Sequence, residues 1–189
     1  MSSLIQHDIE LFFKINGQWH TAFLDWLLPL LRNQFFWSPL YLFALVFMLI
    51  NFRKKGFWWI AFFLITFAIT DRLSSSVIKP WVGRLRPCAD PHLADSVRLL
   101  VGCGGPYSFL SSHATNHFGM AMFAFNTLLF IPSMWRWLFF IWALGISYAQ
   151  VYVGVHFPLD IACGALLGCA IGACTAWAFN KKAGLFTLA

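Results

Sequence analysis

Apolar runs dominate this chain, and the places where they break decide how it folds. A membrane-crossing helix needs roughly 20 predominantly apolar residues, and five runs approach or meet that length. Phe36 to Asn51 is the first and is closed by Arg53, Lys54 and Lys55; Phe57 to Ile78 returns, opened by Trp58 and Trp59, a residue type that favours the membrane interface. After a polar stretch from Lys79 to Ser112 come His113 to Ile131, Met134 to Tyr152 and Phe157 to Phe179, the last followed by Lys181 and Lys182. Two shorter segments precede the spans. Ile5 to Phe13 is interrupted by Asp8 and Glu10 with Lys14 behind, and Thr21 to Leu31 holds Asp25 and stops at Pro29 and Arg32. Both read as helices lying along the membrane surface, a short first span being the alternative for the second.

The pattern predicts an all-α fold: an integral membrane helical bundle of five transmembrane helices with interfacial N-terminal helices. No long polar or Pro/Gly-rich linker divides the sequence, so one domain is expected over residues 1–189, with 1–33 as the interfacial segment and 79–112 as an extracytoplasmic loop. Alternating spans put Arg53, Lys54, Lys55, Arg136, Lys181 and Lys182 on one side with no carboxylate, and all seven Asp and Glu residues on the other. The positive-inside rule makes the first side cytoplasmic, although the second side also carries seven Lys or Arg residues. The same alternation gathers Lys79, Arg86, Ser111, His113, Gln150, His156 and Asp160 at the non-cytoplasmic face.

Composition agrees with lipid as the main solvent. The chain is 60% hydrophobic and 11% charged, against about 25% charged for soluble domains. Its net charge of +6 does not point to nucleic acid, because the basic residues are scattered among apolar runs; the bilayer and its anionic lipids are the expected partners. The N-terminus lacks the basic, apolar and small-residue order of a cleaved signal peptide. Cys163, Cys169 and Cys174 fall in the last apolar run and read as small hydrophobes. Cys88 and Cys103 stand in the polar loop, where an oxidising compartment would permit a disulfide; metal ligation is the alternative, without CxxC or CxxH spacing to favour it. Gly164, Gly168 and Gly172 form a small-residue ridge, expected to pack inside the bundle, with a dimer interface as the rival use.

Three polar islands carry candidate chemistry. In AQVYVGVHFPLD, His156 and Asp160 are four residues apart and share one face if a helix starts near His156. A carboxylate so placed fixes the imidazole tautomer and leaves the other nitrogen free to attack, but an interfacial histidine beside a helix-start carboxylate would show the same spacing. Ser111 and Ser112 read as a helix cap, and that geometry also offers amide donors to an anion; His113 beside them could protonate a leaving oxygen. His117, one turn deeper, reads as a packing residue. Lys79 and Arg86 could clamp a phosphate or simply snorkel to the headgroups. Asp71 and Arg72, inside an apolar run, must be buried against each other or against a polar cavity.

Lys79-x6-Arg86-Pro87, then Leu110-Ser111-Ser112-His113, then Ala149-Gln150-x5-His156-x3-Asp160 together resemble the ordered motifs K-x6-RP, PSGH and SR-x5-H-x3-D of the type 2 phosphatidic acid phosphatase (PAP2) family, which shares its core with vanadium haloperoxidases. The resemblance covers roughly Phe57 to Phe179. It implies a membrane lipid phosphatase that forms a phosphohistidine, with His156 as nucleophile, Asp160 as its partner and His113 as general acid. Lys79, Arg86, Ser111, Ser112 and Gln150 would bind phosphate, and no metal or other cofactor is implied. Undecaprenyl pyrophosphate is the favoured lipid phosphate substrate, with lipid A or phosphatidylglycerophosphate as alternatives, and the expected location is a bacterial inner membrane with the site facing the periplasm. Gln150 stands where the family pattern has Arg and carries no charge, which leaves a non-catalytic lipid-phosphate binder as a rival reading and Arg84 or Arg72 as replacement cations. A transporter is disfavoured because the polar residues gather at one face instead of the midplane.

Overall fold

The computed structural model describes residues 3–185 and is built from helices; among these residues there is no β-strand, only an isolated bridge between Leu85 and Tyr107. The principal helices are α1 (Ser3–Phe13), α2 (Ala22–Leu31), α3 (Ser38–Arg72), α4 (Lys79–Val82), α5 (Ser112–Thr127), α6 (Ser133–Arg136), α7 (Leu138–Tyr152) and α8 (Pro158–Ala183). A π-helical turn, Leu73–Ile78, carries α3 into α4. The stretches Gln34–Val82 and Pro158–Ala183 are long and apolar enough to cross a membrane.

The unbroken run of helix in α3 hides a reversal. Arg53 has φ 48° and ψ −119°, outside the helical region. Eight residues of straight helix would separate Met48 from Gly56 by about 12 Å, yet a Cβ built on Gly56 would lie 1.9 Å from the Met48 carbonyl oxygen. The chain therefore doubles back at the Arg53-Lys54-Lys55 break, and the absence of a side chain at Gly56 lets the two arms touch. Apolar side chains on the outer surface are left uncovered: Phe43, Ile50, Leu144 and Leu166 are 64%, 70%, 58% and 73% exposed. Such a surface suits lipid and would be a liability in water.

α8 packs most closely against α5, and its glycine ridge explains how. A Cβ on Gly168 would come within 2.3 Å of the Thr115 carbonyl oxygen, and one on Gly172 within 2.3 Å of the Gly119 carbonyl. Gly164 likewise faces Ser111 and Thr115. The ridge is thus consumed inside the bundle, with backbones in contact. Below it Trp59, Phe123 and Phe179 form an aromatic core, and Trp59 Nε1 donates to Thr127 Oγ1 at 2.8 Å.

The N-terminal helices do more than lie on a surface. Phe12 is fully buried among Val151, Tyr152, Val155 and Phe157. Asn16, also fully buried, donates to the carbonyls of Arg98 and Tyr152 and accepts the Arg98 N–H. Asp25 accepts from Tyr152 Oη at 2.6 Å and pairs with Arg98. These contacts clamp α1, α2 and the polar loop onto the end of α7. Gly154, with φ 91°, closes the α7–α8 turn under the clamp, where a Cβ would meet Val97 at 2.8 Å.

Candidate active site

The polar islands come together because each lies at a helix end on the same side of the bundle. Lys79 opens α4, and Arg86 follows the turn that Gly83, at φ 64°, allows in the left-handed region. Ser111 caps α5 by accepting the Ala114 N–H, which leaves Ser112 and His113 in the first turn, where backbone donors have no helical partner. Gln150 ends α7, His156 occupies the following turn and Asp160 lies in the first turn of α8.

The helix begins two residues after His156, within the run that opens at Phe157. Phe157 is the N-cap and Pro158 the first helical residue, so the histidine stands just outside. Proline at that position needs no amide donor, and its fixed φ suits the first turn. Asp160 Oδ2 accepts the Phe157 N–H at 2.9 Å, and this cap bond turns the carboxylate back toward His156, whose Nδ1 lies 3.5 Å away without closing a hydrogen bond. His156 is 1% exposed. Burial lowers its pKa to about 4, against an upward pull from Asp160, so the ring is neutral at ordinary pH.

Arg86 is aimed by the loop. Its Nη1 donates to the Cys103 carbonyl at 2.6 Å and its Nε to the Tyr107 carbonyl at 3.1 Å. Cys103 is itself bonded to Cys88, so the disulfide fixes one of the two acceptors that hold the guanidinium. Burial lowers the Arg86 pKa, and Asp160 opposes that shift. Lys79, Arg86 and Asp160 act on one another electrostatically, and His113 lies in the fields of His156 and Lys79. Five of the candidate residues are therefore one electrostatic cluster.

Gln150 is 1% exposed, and neither its Nε2 nor its Oε1 has a hydrogen-bond partner; Ser112 Oγ is likewise unpartnered. A buried polar group left without any partner costs about 1–3 kcal/mol. Arg84 is not free to supply the charge that Gln150 lacks. Its guanidinium bridges Asp160 Oδ1 at 2.9 Å and Asp8 Oδ2 at 2.6 Å and lies 4.0 Å from the Phe157 ring centroid. Asp8 also accepts the Leu159 N–H at 2.8 Å. This N-terminal carboxylate, which the chain pattern presented only as a break in an apolar run, pins the first turn of α8. Arg72 is exposed, and Asp71 is met by Asn116 Nδ2 at 3.1 Å instead of by Arg72.

An apolar cavity of about 600 Å³ lies between α3, α5 and α7. Leu31, Trp37, Tyr41 and Trp142 line it, and the Trp142 ring meets His117 at 4.9 Å. His117 in turn stacks beside His113, with centroids 6.1 Å apart, and bonds to its backbone carbonyl. It is the link between the cavity and His113. Among the described residues no group of three or more His, Cys, Asp or Glu is arranged to hold a metal ion.

A lipid A 4'-phosphatase from Bacteroides thetaiotaomicron is 33% identical over 165 residues, 85% of this chain and 72% of the relative. An undecaprenyl-diphosphatase from Sulfolobus acidocaldarius is 32% identical over 168 residues, 87% of this chain and 74% of the relative. The crystal structure of a transmembrane PAP2-type phosphatidylglycerolphosphate phosphatase from Bacillus subtilis superposes with a TM-score of 0.70 at 26% identity, covering 99% of this chain and 90% of that one. The sequence profile of the PAP2 superfamily matches residues 57–183, which hold all three motifs and the cluster they form. With that match and these relatives, the chain belongs to the PAP2 superfamily.

Proposed function

We propose that the protein is an integral membrane phosphatase that hydrolyses a lipid-linked phosphate or diphosphate through a phosphohistidine on His156. The observation that carries this reading is the convergence of Lys79, Arg86, His113, His156 and Asp160 at one end of a lipid-facing bundle that also holds an apolar cavity of about 600 Å³. The headgroup would sit among the cations and the tail in the cavity.

In this mechanism Lys79 and Arg86 hold the phosphoryl oxygens, and the α5 N-terminus adds amide donors. His156 Nδ1 faces Asp160, so Nε2 attacks phosphorus. A P–N bond forms, the bond from that phosphorus to the lipid oxygen (in a diphosphate, to the bridging oxygen) breaks, and His113 gives its proton to the departing oxygen. Asp160 stabilises the cationic ring. Water then attacks phosphorus and loses its proton to His113; the P–N bond breaks and inorganic phosphate leaves. No step requires a metal ion.

Undecaprenyl diphosphate and lipid A phosphate are the substrates to compare first, because relatives named for each are similar to this chain over 87% and 85% of its length. The membrane reading has five spans, with the Arg53 turn and the Lys181-Lys182 end in the cytoplasm and the site facing outward, in a bacterial cell the periplasm. Purified protein is expected to release phosphate from one lipid in a panel of undecaprenyl diphosphate, lipid A, phosphatidylglycerophosphate and phosphatidic acid, in the presence of chelator. His156→Ala should abolish turnover. A parent protein inactive on every lipid, or one that works only when a divalent ion is returned, would overturn the reading; binding of a lipid without turnover would favour a non-catalytic binder.

A further inference from the structure

The cluster has an unfilled electrostatic requirement. Gln150 offers an amide where the family pattern has a guanidinium, and its two polar atoms have no partner. Each nearby cation can be asked whether it replaces the missing charge. Arg84 is shared between Asp8 and Asp160. Arg98 is paired with Asp25 and placed over the Tyr152 ring. Arg72 is exposed. Arg32 differs from all three.

Arg32 terminates α2, immediately after Leu31. Leu31 lines the apolar cavity, and its carbonyl accepts a 2.7 Å hydrogen bond from Trp37 Nε1. Trp37 packs edge-on against Trp142 at 5.8 Å, Trp142 meets His117, and His117 stacks beside His113. These contacts place the end of α2 on the wall of the cavity and connect it, through three successive rings, to His113. Arg32 is half-buried, its Nε is shut off from solvent without a hydrogen-bond partner, and among the described residues no carboxylate pairs with it. Its charge is felt by Arg86 on the loop and by His113 on α5. Burial and the neighbouring Arg86 both disfavour its charge. A guanidinium held there without a carboxylate, in the field of a second guanidinium, is set up to receive an anion between them.

We propose that Arg32 is the third phosphate-contacting cation of this site, delivered by the N-terminal segment in place of the arginine that Gln150 replaces on α7. It rests on the phosphatase reading and extends it to a binding residue outside the three motifs. Gln150 then serves as a neutral amide donor, and the cationic count of the pocket is restored from another element.

Arg32→Gln should lower kcat/KM on the best lipid substrate by roughly 10- to 100-fold, the range for one lost charge-assisted contact. It should also weaken inhibition and direct binding of inorganic phosphate, measured by calorimetry in detergent. Gln150→Arg added to Arg32→Gln should recover at least tenfold of the loss, which a purely structural role for Arg32 would not permit. Arg32→Lys keeps the charge and should retain most activity, and serves if the glutamine variant unfolds. Arg32→Gln within twofold of the parent in both turnover and phosphate binding would overturn the proposal while leaving the phosphatase reading in place. A parent that neither turns over lipid phosphates nor binds inorganic phosphate would overturn both.

Discussion

His156 is the residue at which burial and chemistry meet. Its ordinary pKa of 6.5 falls to about 4 in the folded protein, mainly because the imidazolium would be shut away from water. The folded state therefore binds fewer protons than the unfolded chain as pH drops. The stability gained by keeping the ring neutral is complete above 6.5 and is lost progressively between 6.5 and about 4. A gap of that size is worth roughly 3 kcal/mol. Compared with His156→Gln in denaturant unfolding followed by tryptophan fluorescence, the parent should lose about that much more stability between pH 7 and pH 4. An unchanged difference across that range would mean that the ring is already charged or solvated. The catalytic candidates were legible because Lys79, His113, His156 and Asp160 sit in short motifs with fixed spacing. Asp8 was not: it reaches Arg84 across 76 residues through the fold alone, and no local pattern records such a contact.

At the level of elements, the active geometry depends on how closely α5 and α8 approach. α5 brings His113 and α8 brings Asp160, while Ser111 N–H donates to the Asp160 carbonyl at 3.2 Å, tying the two starts together. The glycine ridge sets that distance. Gly168→Ala should destabilise the protein by about 1–3 kcal/mol, the usual cost of overpacking, and lower kcat with it, because the Thr115 carbonyl that a Cβ would strike is backbone and cannot rotate away. Gly145→Ala on α7, where a Cβ meets nothing within 4 Å, is the stability control and should change the unfolding midpoint little. Equal behaviour of the two variants would remove the ridge from the account. Helix existence and order were readable from the apolar runs, and so was the inward use of the ridge. Element ends were less readable: α5 stops at Thr127 and α7 starts at Leu138, inside the runs that extend to Ile131 and from Met134, whereas α8 starts at Pro158, next to the Phe157 that opens its run.

At the scale of the molecule, charge is distributed by end. The site end holds Asp8, Asp25, Asp71 and Asp160, each engaged with a named partner. At the far end of α8, Lys181 and Lys182 share a surface pocket with Lys54 and Lys55 from the Arg53 turn, and Lys55 Nζ donates to the Leu185 carbonyl at 3.2 Å. α8 has 26 residues, about 39 Å of helix, which is more than the hydrocarbon thickness of roughly 30 Å. The basic end and the phosphate site are therefore separated by enough helix to stand on opposite faces of a bilayer, and the carboxylate-free basic end is the one expected to remain in the cytoplasm. Five of the seven cations at the site end have another use: Arg84 and Arg98 are neutralised by carboxylates, and Lys79, Arg86 and Arg32 are the proposed phosphate contacts. With Cys163, Cys169 and Cys174 replaced by alanine, single cysteines at Lys54 and Asp95 should react differently with a membrane-impermeant maleimide in intact cells. Asp95→Cys should label directly and Lys54→Cys only after permeabilisation; labelling of both from one side would break the alternation on which the five-span, outward-facing arrangement rests.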